Sequence, residues 1–223
     1  MWKIQPSGLY QRLIREAMRP FARQHGFAFL KRTLLGRVHE DTLHIINFDV
    51  INPGYICSFA IQPLYVPARF VVLNLNRRLE YRGPMPGGWG LGESEDEIRR
   101  ELVQVQRLLE TEALPWFAEV GTPGGIVSFI ETSVRKRKPI WGLTAFWHDV
   151  YLGFSYLYIG RYEAGQRALA SAAETLSKDT RPPLIEHTQL VDRMRAVARD
   201  EPERVPLMLQ EFVRETKANL RLK

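Results

Sequence analysis

His39, Glu40, Asp41 and His44 fall within six consecutive residues of the stretch GRVHEDTLHIINFDV. Side chains of these types hold metal ions or move protons. The zincin pattern sets two histidines at i and i+4 on one helix face, with a glutamate between them as general base. Here the histidines are five apart, and the residues around them alternate as in a strand. Across a hairpin His39 and His44 could still converge, with Asp41 as a third ligand. A metal centre also needs groups behind its ligands to orient them, and nothing nearby supplies that signal. The cluster reads as a polar hairpin tip with one histidine on a partly buried strand face.

The remaining chemical candidates are weaker as catalysts. GPMPGGWGLGES is glycine-rich and precedes a helix, but it lacks the Gly-Lys-Ser/Thr ending of a P-loop and the GxGxxG spacing of a dinucleotide site. It reads as the turn from sheet to helix around Trp89, and GTPGG later on reads as a helix stop and restart. Cys57 sits between Ile56 and Ser58 in a strand pattern, which places it as a buried thiol. No G-x-S-x-G elbow is present. His25 and the pair His148-Asp149 lie in helical contexts without a nucleophile beside them. Glu95, Asp96 and Glu97 suit the positive end of a helix dipole. The best local anion site is Arg135, Lys136, Arg137 and Lys138 with Trp141 just after, since such cations neutralise phosphates and an aromatic can stack on a base. The competing reading is a solvated helix end. The stretch from Trp141 to Tyr162 is rich in aromatics; Tyr151, Tyr158 and Tyr162 are its candidates for a partner surface, against the alternative that they fill an interhelical core.

Composition bounds what these residues can be part of. The chain has 223 residues and 45% hydrophobic content, enough for a sizeable core. Its 31 Lys and Arg against 25 Asp and Glu leave +6 and a pI near 9.6, but the excess is scattered, so nucleic acid is a permitted partner rather than an indicated one. One cysteine excludes both an intramolecular disulfide framework and a thiolate zinc cluster. The start, MWKIQPSGLYQRLIREAM, lacks the apolar run and small-residue cleavage site of a signal peptide, and no membrane-length apolar stretch follows. A soluble cytoplasmic protein with no cofactor and no membrane partner is expected.

The elements that must position these residues follow from periodicity. Leu9, Leu13, Ile14, Ala17, Met18 and Phe21 recur at helical steps, with Ser7 as a cap, Gly26 as a stop and a kink expected at Pro20. Four strands are expected at residues 27–38, 43–51, 55–64 and 70–75, joined by the turns HED, NPG and VPA into an antiparallel meander. In the third, Tyr55, Cys57, Phe59 and Ile61 alternate with Ser58, Ala60 and Gln62, which predicts one buried face. From Glu93 the pattern is helical. Ser94 and Glu97 form a capping box ahead of Ile98, Leu102, Val105 and Leu109; Pro115 should close or bend that helix, and Thr122-Pro123 should start another. RKRKP marks a break. A helical hairpin and two more helices, near 184–198 and 202–219, complete the chain. The fold class is α+β: a helix on a sheet of about four strands over residues 1–92, then a helical region over 93–223 packed on the first as one unit.

Two stretches of the chain resemble known sequence patterns. The stretch MRPFARQHGFAFLKRTLLGRVHEDTLHIINFDV resembles a bacterial family known as domain of unknown function 4304: a helix with a late proline, a Gly-Phe stop, basic residues in the first strand, and a second strand ending in Asn47-Phe48. The likeness extends through PGGWGLGE and LPWF over about the first 130 residues, with Asp49 where that family favours Gln. It implies an α+β fold and brings no catalytic residues. In WHDVYLGFSYLYIGRYEAGQRALASAAETL, the residues Leu152, Gly153, Tyr156, Gly160, Tyr162, Leu169 and Ala172 resemble one tetratricopeptide unit, with Asp149 for its Trp and Gly165 for its Ala. An array needs about three copies, so this is a single repeat-like hairpin.

The leading expectation is a non-enzymatic protein that binds another protein, with a toxin-neutralising role as one form of it. Nucleic-acid binding through the basic segment is the alternative, and a hydrolase using the hairpin histidines is the weakest reading.

Overall fold

The computed structural model describes residues 7–51, 54–80, 89, 94–136, 145–178 and 182–222. Helix α1, Ser7–His25, buries Tyr10, Leu13, Ile14, Met18 and Phe21, the stripe its periodicity requires. Pro20 lies within it. A proline leaves the preceding turn short of a donor, and one carbonyl of that turn, Ala17, accepts from the side chain of Gln106 at 2.7 Å. The helix stops at Gly26, whose φ of 72° lets the Phe27 N–H turn back to the Ala22 carbonyl at 2.8 Å.

The sheet has five strands in the order β1-β2-β3-β4-β5, all antiparallel: β1 Ala28–Phe29, β2 Leu34–His39, β3 Thr42–Val50, β4 Tyr55–Pro63 and β5 Leu75–Arg78. The expected first strand over 27–38 is two strands, because the N–H groups of Leu30 and Lys31 both turn onto the Leu34 carbonyl. Ala28 then pairs with Gly36 and Phe29 with Leu35. The last strand starts at Leu75 instead of residue 70. The side chain of Gln62 occupies the backbone of residues 70 and 72 and holds that stretch out of a ladder. β4 is buried on both faces, with Ser58, Ala60 and Gln62 covered as well as Cys57, Phe59 and Ile61; an interior strand has no solvent face to alternate toward.

Contacts divide the described residues into two compact units. The first takes in those of 1–38, 43–61 and 76–118; the second those of 39–42, 62–75 and 119–223. In the first, Ser94 and Glu97 form the expected capping box of α2, Glu95–Leu108. A π-helical turn at Leu109–Ala113 leads into α3, Leu114–Val120. The bend expected at Pro115 takes this form, with the Leu114 N–H reaching Leu109. Phe59 meets Trp116 at 5.2 Å, and Phe117 lies 6.0 Å from Phe27, so α3 and the sheet share one aromatic core.

The second unit contains α4 Pro123–Arg135, capped by Thr122, then α5 Ala145–Tyr158, α6 Tyr162–Leu176, α7 Pro182–Asp200 and α8 Val205–Leu220, the last preceded by a 3₁₀ turn. α5 and α6 form the expected hairpin. Gly160 ends α5 at φ 78°, with Arg161 N–H bonded to Tyr156 and Gly160 N–H to Leu157. The two helices approach closely: a Cβ on Gly153 would stand 2.5 Å from the side chain of Leu169.

A candidate binding cleft

The hairpin residues come first. Glu40 and Asp41 make the turn between β2 and β3, with Glu40 at φ 50°. Within the second unit Asp41 is enclosed by donors. Its Oδ2 accepts from the Tyr158 hydroxyl at 2.6 Å and from Gln210 Nε2 at 3.1 Å, and its Oδ1 pairs with Lys217 Nζ at 3.3 Å. Burial pushes this carboxyl up, but the three hydrogen bonds and the lysine charge outweigh it and hold the group below its usual value. Burial and the facing carboxylate push Tyr158 up to about 12. Asp41 is an anchor, with both carboxylate oxygens bonded to protein donors.

In the first unit His44 is a core residue. It stacks on Phe117 with centroids 4.7 Å apart, and its Nδ1 lies 3.1 Å from Arg37 Nη2. A guanidinium can only donate, so Nδ1 accepts and the ring proton sits on Nε2. Arg37 Nη1 donates to the His25 carbonyl at 2.9 Å, and the guanidinium lies over Phe27. Among the described residues no three His, Cys, Asp or Glu side chains gather as a metal site.

The other sequence candidates disperse. Cys57 is fully buried, and burial, aided by the charge of Asp49, pushes its thiol up and away from the reactive thiolate. Trp89, from the glycine-rich stretch, is buried and bridged to Tyr55. Arg135 ends α4 and Lys136 caps it, both exposed; Arg137, Lys138 and Trp141 lie outside the described residues. The three candidate tyrosines do not form one surface. Tyr151 is only 2% exposed, Tyr158 is committed to Asp41, and Tyr162 is half-buried at the start of α6. Its helix turns Tyr151 inward, where its hydroxyl accepts from Asn74 at 3.2 Å.

Tyr151 also helps to line a cleft of about 870 Å³ within the second unit, a volume in the range of ligand sites. One side is the segment 66–74. Ala68 is fastened to α8, its N–H donating to Thr216 at 3.4 Å and its carbonyl accepting from Asn219 at 3.3 Å. Gln62, itself buried, takes the next turn: its Nε2 donates to the Phe70 carbonyl at 3.4 Å and its Oε1 accepts from the Val72 N–H at 3.0 Å. This backbone fixation leaves the Phe70 ring 68% exposed at the rim. The aromatic lining continues with Phe212 of α8 and Trp147 of α5, the latter 5.4 Å from Tyr151 and 4.8 Å from His187 of α7. Burial holds His187 below its usual value despite Glu186 beside it, so its ring is neutral at pH 7.

A second groove, of about 530 Å³, lies along α6 and α7. Its charges are paired along their own helices, Arg167 with Glu163 and Arg195 with Asp192, which is the arrangement of a solvated helix surface. Aromatic content marks the stretch containing Trp147. Phe70 was hidden by its assignment to a strand, and His187 and Arg193 carry no local signal because their neighbours in the cleft come from other elements. Among the described residues no helix is long and apolar enough to cross a membrane. No protein-family model, no curated protein and no solved structure matches the chain, and the cleft's own chemistry is the basis on which function is assigned below.

Proposed function

We propose that the chain is a non-enzymatic interaction protein whose second unit grips a partner protein at the aromatic cleft. The observation that carries this reading is Phe70, a large apolar side chain held in solvent by a backbone fastened on both sides of it. Covering such a ring is worth about 1.5–3 kcal/mol, and aromatic anchors of this kind dominate protein interfaces. A binding role is also favoured over catalysis by the lining. Among the described residues it contains no serine, threonine or cysteine, and its one buried hydroxyl, that of Tyr151, is bonded to Asn74. Nucleic acid is not favoured: Arg135 and Lys136 stand where cations ordinarily oppose a helix C-terminus. The likeness to domain of unknown function 4304 belongs to the same proposal. It is supported by the Gly26-Phe27 helix stop, while β3 runs past Asn47-Phe48 to Val50.

Affinity capture from the native cell tests the reading when wild type is run beside a variant carrying Phe70→Ser and Trp147→Ala. A protein retained in stoichiometric amount by wild type and lost by the variant is the expected result. Identical captures from both would remove the cleft from the interaction.

A further inference from the structure

The chemistry of the partner segment can be read from the charges that share the cleft with its rings, on the reading that a protein binds there. Arg69 and Glu186 lie 3.6 Å apart at the rim and neutralise each other. Arg193 of α7 and Glu215 of α8 also line the cleft, and neither has an ion pair among the described residues. Exposed charges in bulk water need no partner. Here they line the same cleft as rings that a ligand would cover, and covering the rings brings the ligand's own groups into that cleft while displacing the water that screens both charges.

We infer that the cleft takes a linear peptide segment of the partner protein, carrying one bulky aromatic or aliphatic anchor together with an acidic residue for Arg193 and a basic residue for Glu215. The anchor enters beside Phe70, Trp147 and Phe212. A ligand with a single charge would satisfy one of the two open groups and desolvate the other without compensation. A neutral apolar ligand would do so to both. A short peptide satisfies all three demands in a volume of this size, since its side chains present apolar, negative and positive groups in succession.

A random peptide display library screened against the full chain tests this directly, using wild type, Phe70→Ser, Arg193→Glu and Glu215→Lys. Arg193 and Glu215 are exposed, so their reversal leaves the fold intact, and a circular dichroism melt of each variant checks it. Peptides selected by wild type are expected to share an apolar anchor with one acidic and one basic position, and to bind Phe70→Ser about tenfold more weakly. Selection on Arg193→Glu should turn the acidic position basic, and selection on Glu215→Lys should turn the basic position acidic. The inference is overturned if no peptide is enriched, or if the enriched peptides keep the same charges on both reversed variants. It is also overturned if light scattering finds a dimer that Phe70→Ser dissolves, because the cleft then belongs to a second copy of the chain. Capture of a partner that depends on Phe70 and Trp147, alongside peptides without charge preference, would leave the interaction reading standing and remove only the peptide chemistry.

Discussion

At the turn between β2 and β3 a carboxylate, an ammonium, an amide and a phenol meet and satisfy one another around Asp41. At the cleft, in the same unit, another carboxylate, a guanidinium and a set of rings are assembled, and Arg193, Glu215 and Phe70 are left open. The first group carries residue types that could do chemistry, reads in the sequence as a hairpin tip, and is structural. The second drew no attention as a charge cluster, yet it is where the protein leaves interactions unmade. Groups that complete one another stabilise a fold, whereas exposed groups left open add little to it and are free to meet a ligand, as the proposed function requires.

The widest break in this comparison should come from Asp41→Ala. It strips partners from Tyr158, Gln210 and Lys217 together, and loss of charge-assisted hydrogen bonds in a partly buried setting should lower stability by about 2–3 kcal/mol. Urea unfolding measures it, with Phe70→Ser as the contrast, expected within about 0.5 kcal/mol of wild type. Equal losses at both places would show that the cleft is as much a structural device as the turn. Acid sharpens the same point. The Asp41 carboxyl is held below its usual value in the folded chain, so the unfolded chain binds the extra proton first. The stabilisation is therefore present above about pH 4 and is lost as pH falls through the folded value. Asp41→Asn, which lacks the titrating group, should flatten that part of the stability curve.

Why some features were legible and both of these regions were not comes down to distance along the chain. The stripe of α1, the Ser94 capping box and the Thr122 cap are local, with both partners of each interaction inside a few turns, and periodicity finds them. The break between β1 and β2 was missed because Lys31, Arg32 and Thr33 turn the chain without glycine or proline. The start of β5 was missed because a side chain from β4, Gln62, competes for the backbone of residues 70 and 72. Asp41 meets partners 117 and 176 residues away. Its neighbours in sequence, His39 and His44, are what suggested a metal, while its neighbours in space are a tyrosine, a glutamine and a lysine. Phe70 reads as an ordinary strand residue until the fastening of its backbone is known.

A smaller effect is expected from Tyr158→Phe. The phenol donates one hydrogen bond to a carboxylate that keeps two other donors, so its loss should cost about 1 kcal/mol. The alkaline limb of the stability curve reports on the hydroxyl itself, raised first by burial and then by its bond to Asp41. Tyr158 sits at about 12 in the folded chain against an ordinary value near 10. A raised value contributes stability that is complete below about pH 10 and is lost as pH rises through the folded value. Wild type should therefore lose ground to Tyr158→Phe between about pH 10 and 12, and curves that stay parallel there would mean that the hydroxyl is not carrying the turn.

The smallest expected effect is also the most discriminating. Arg193→Ala and Glu215→Ala, alone and together, should each leave unfolding free energy within about 0.5 kcal/mol of wild type, and the double-mutant coupling between them should be indistinguishable from zero. Both residues are exposed and neither has an ion pair among the described residues. A coupling well above that level would mean that the two charges spend their energy on each other, as Lys217 and Asp41 do. The cleft would then resemble the turn in kind, and neither charge would be left to select the charges of a partner. Zero coupling in the free protein, joined with a charge reversal that changes which peptides bind, separates a group held open for a ligand from one that stabilises the fold.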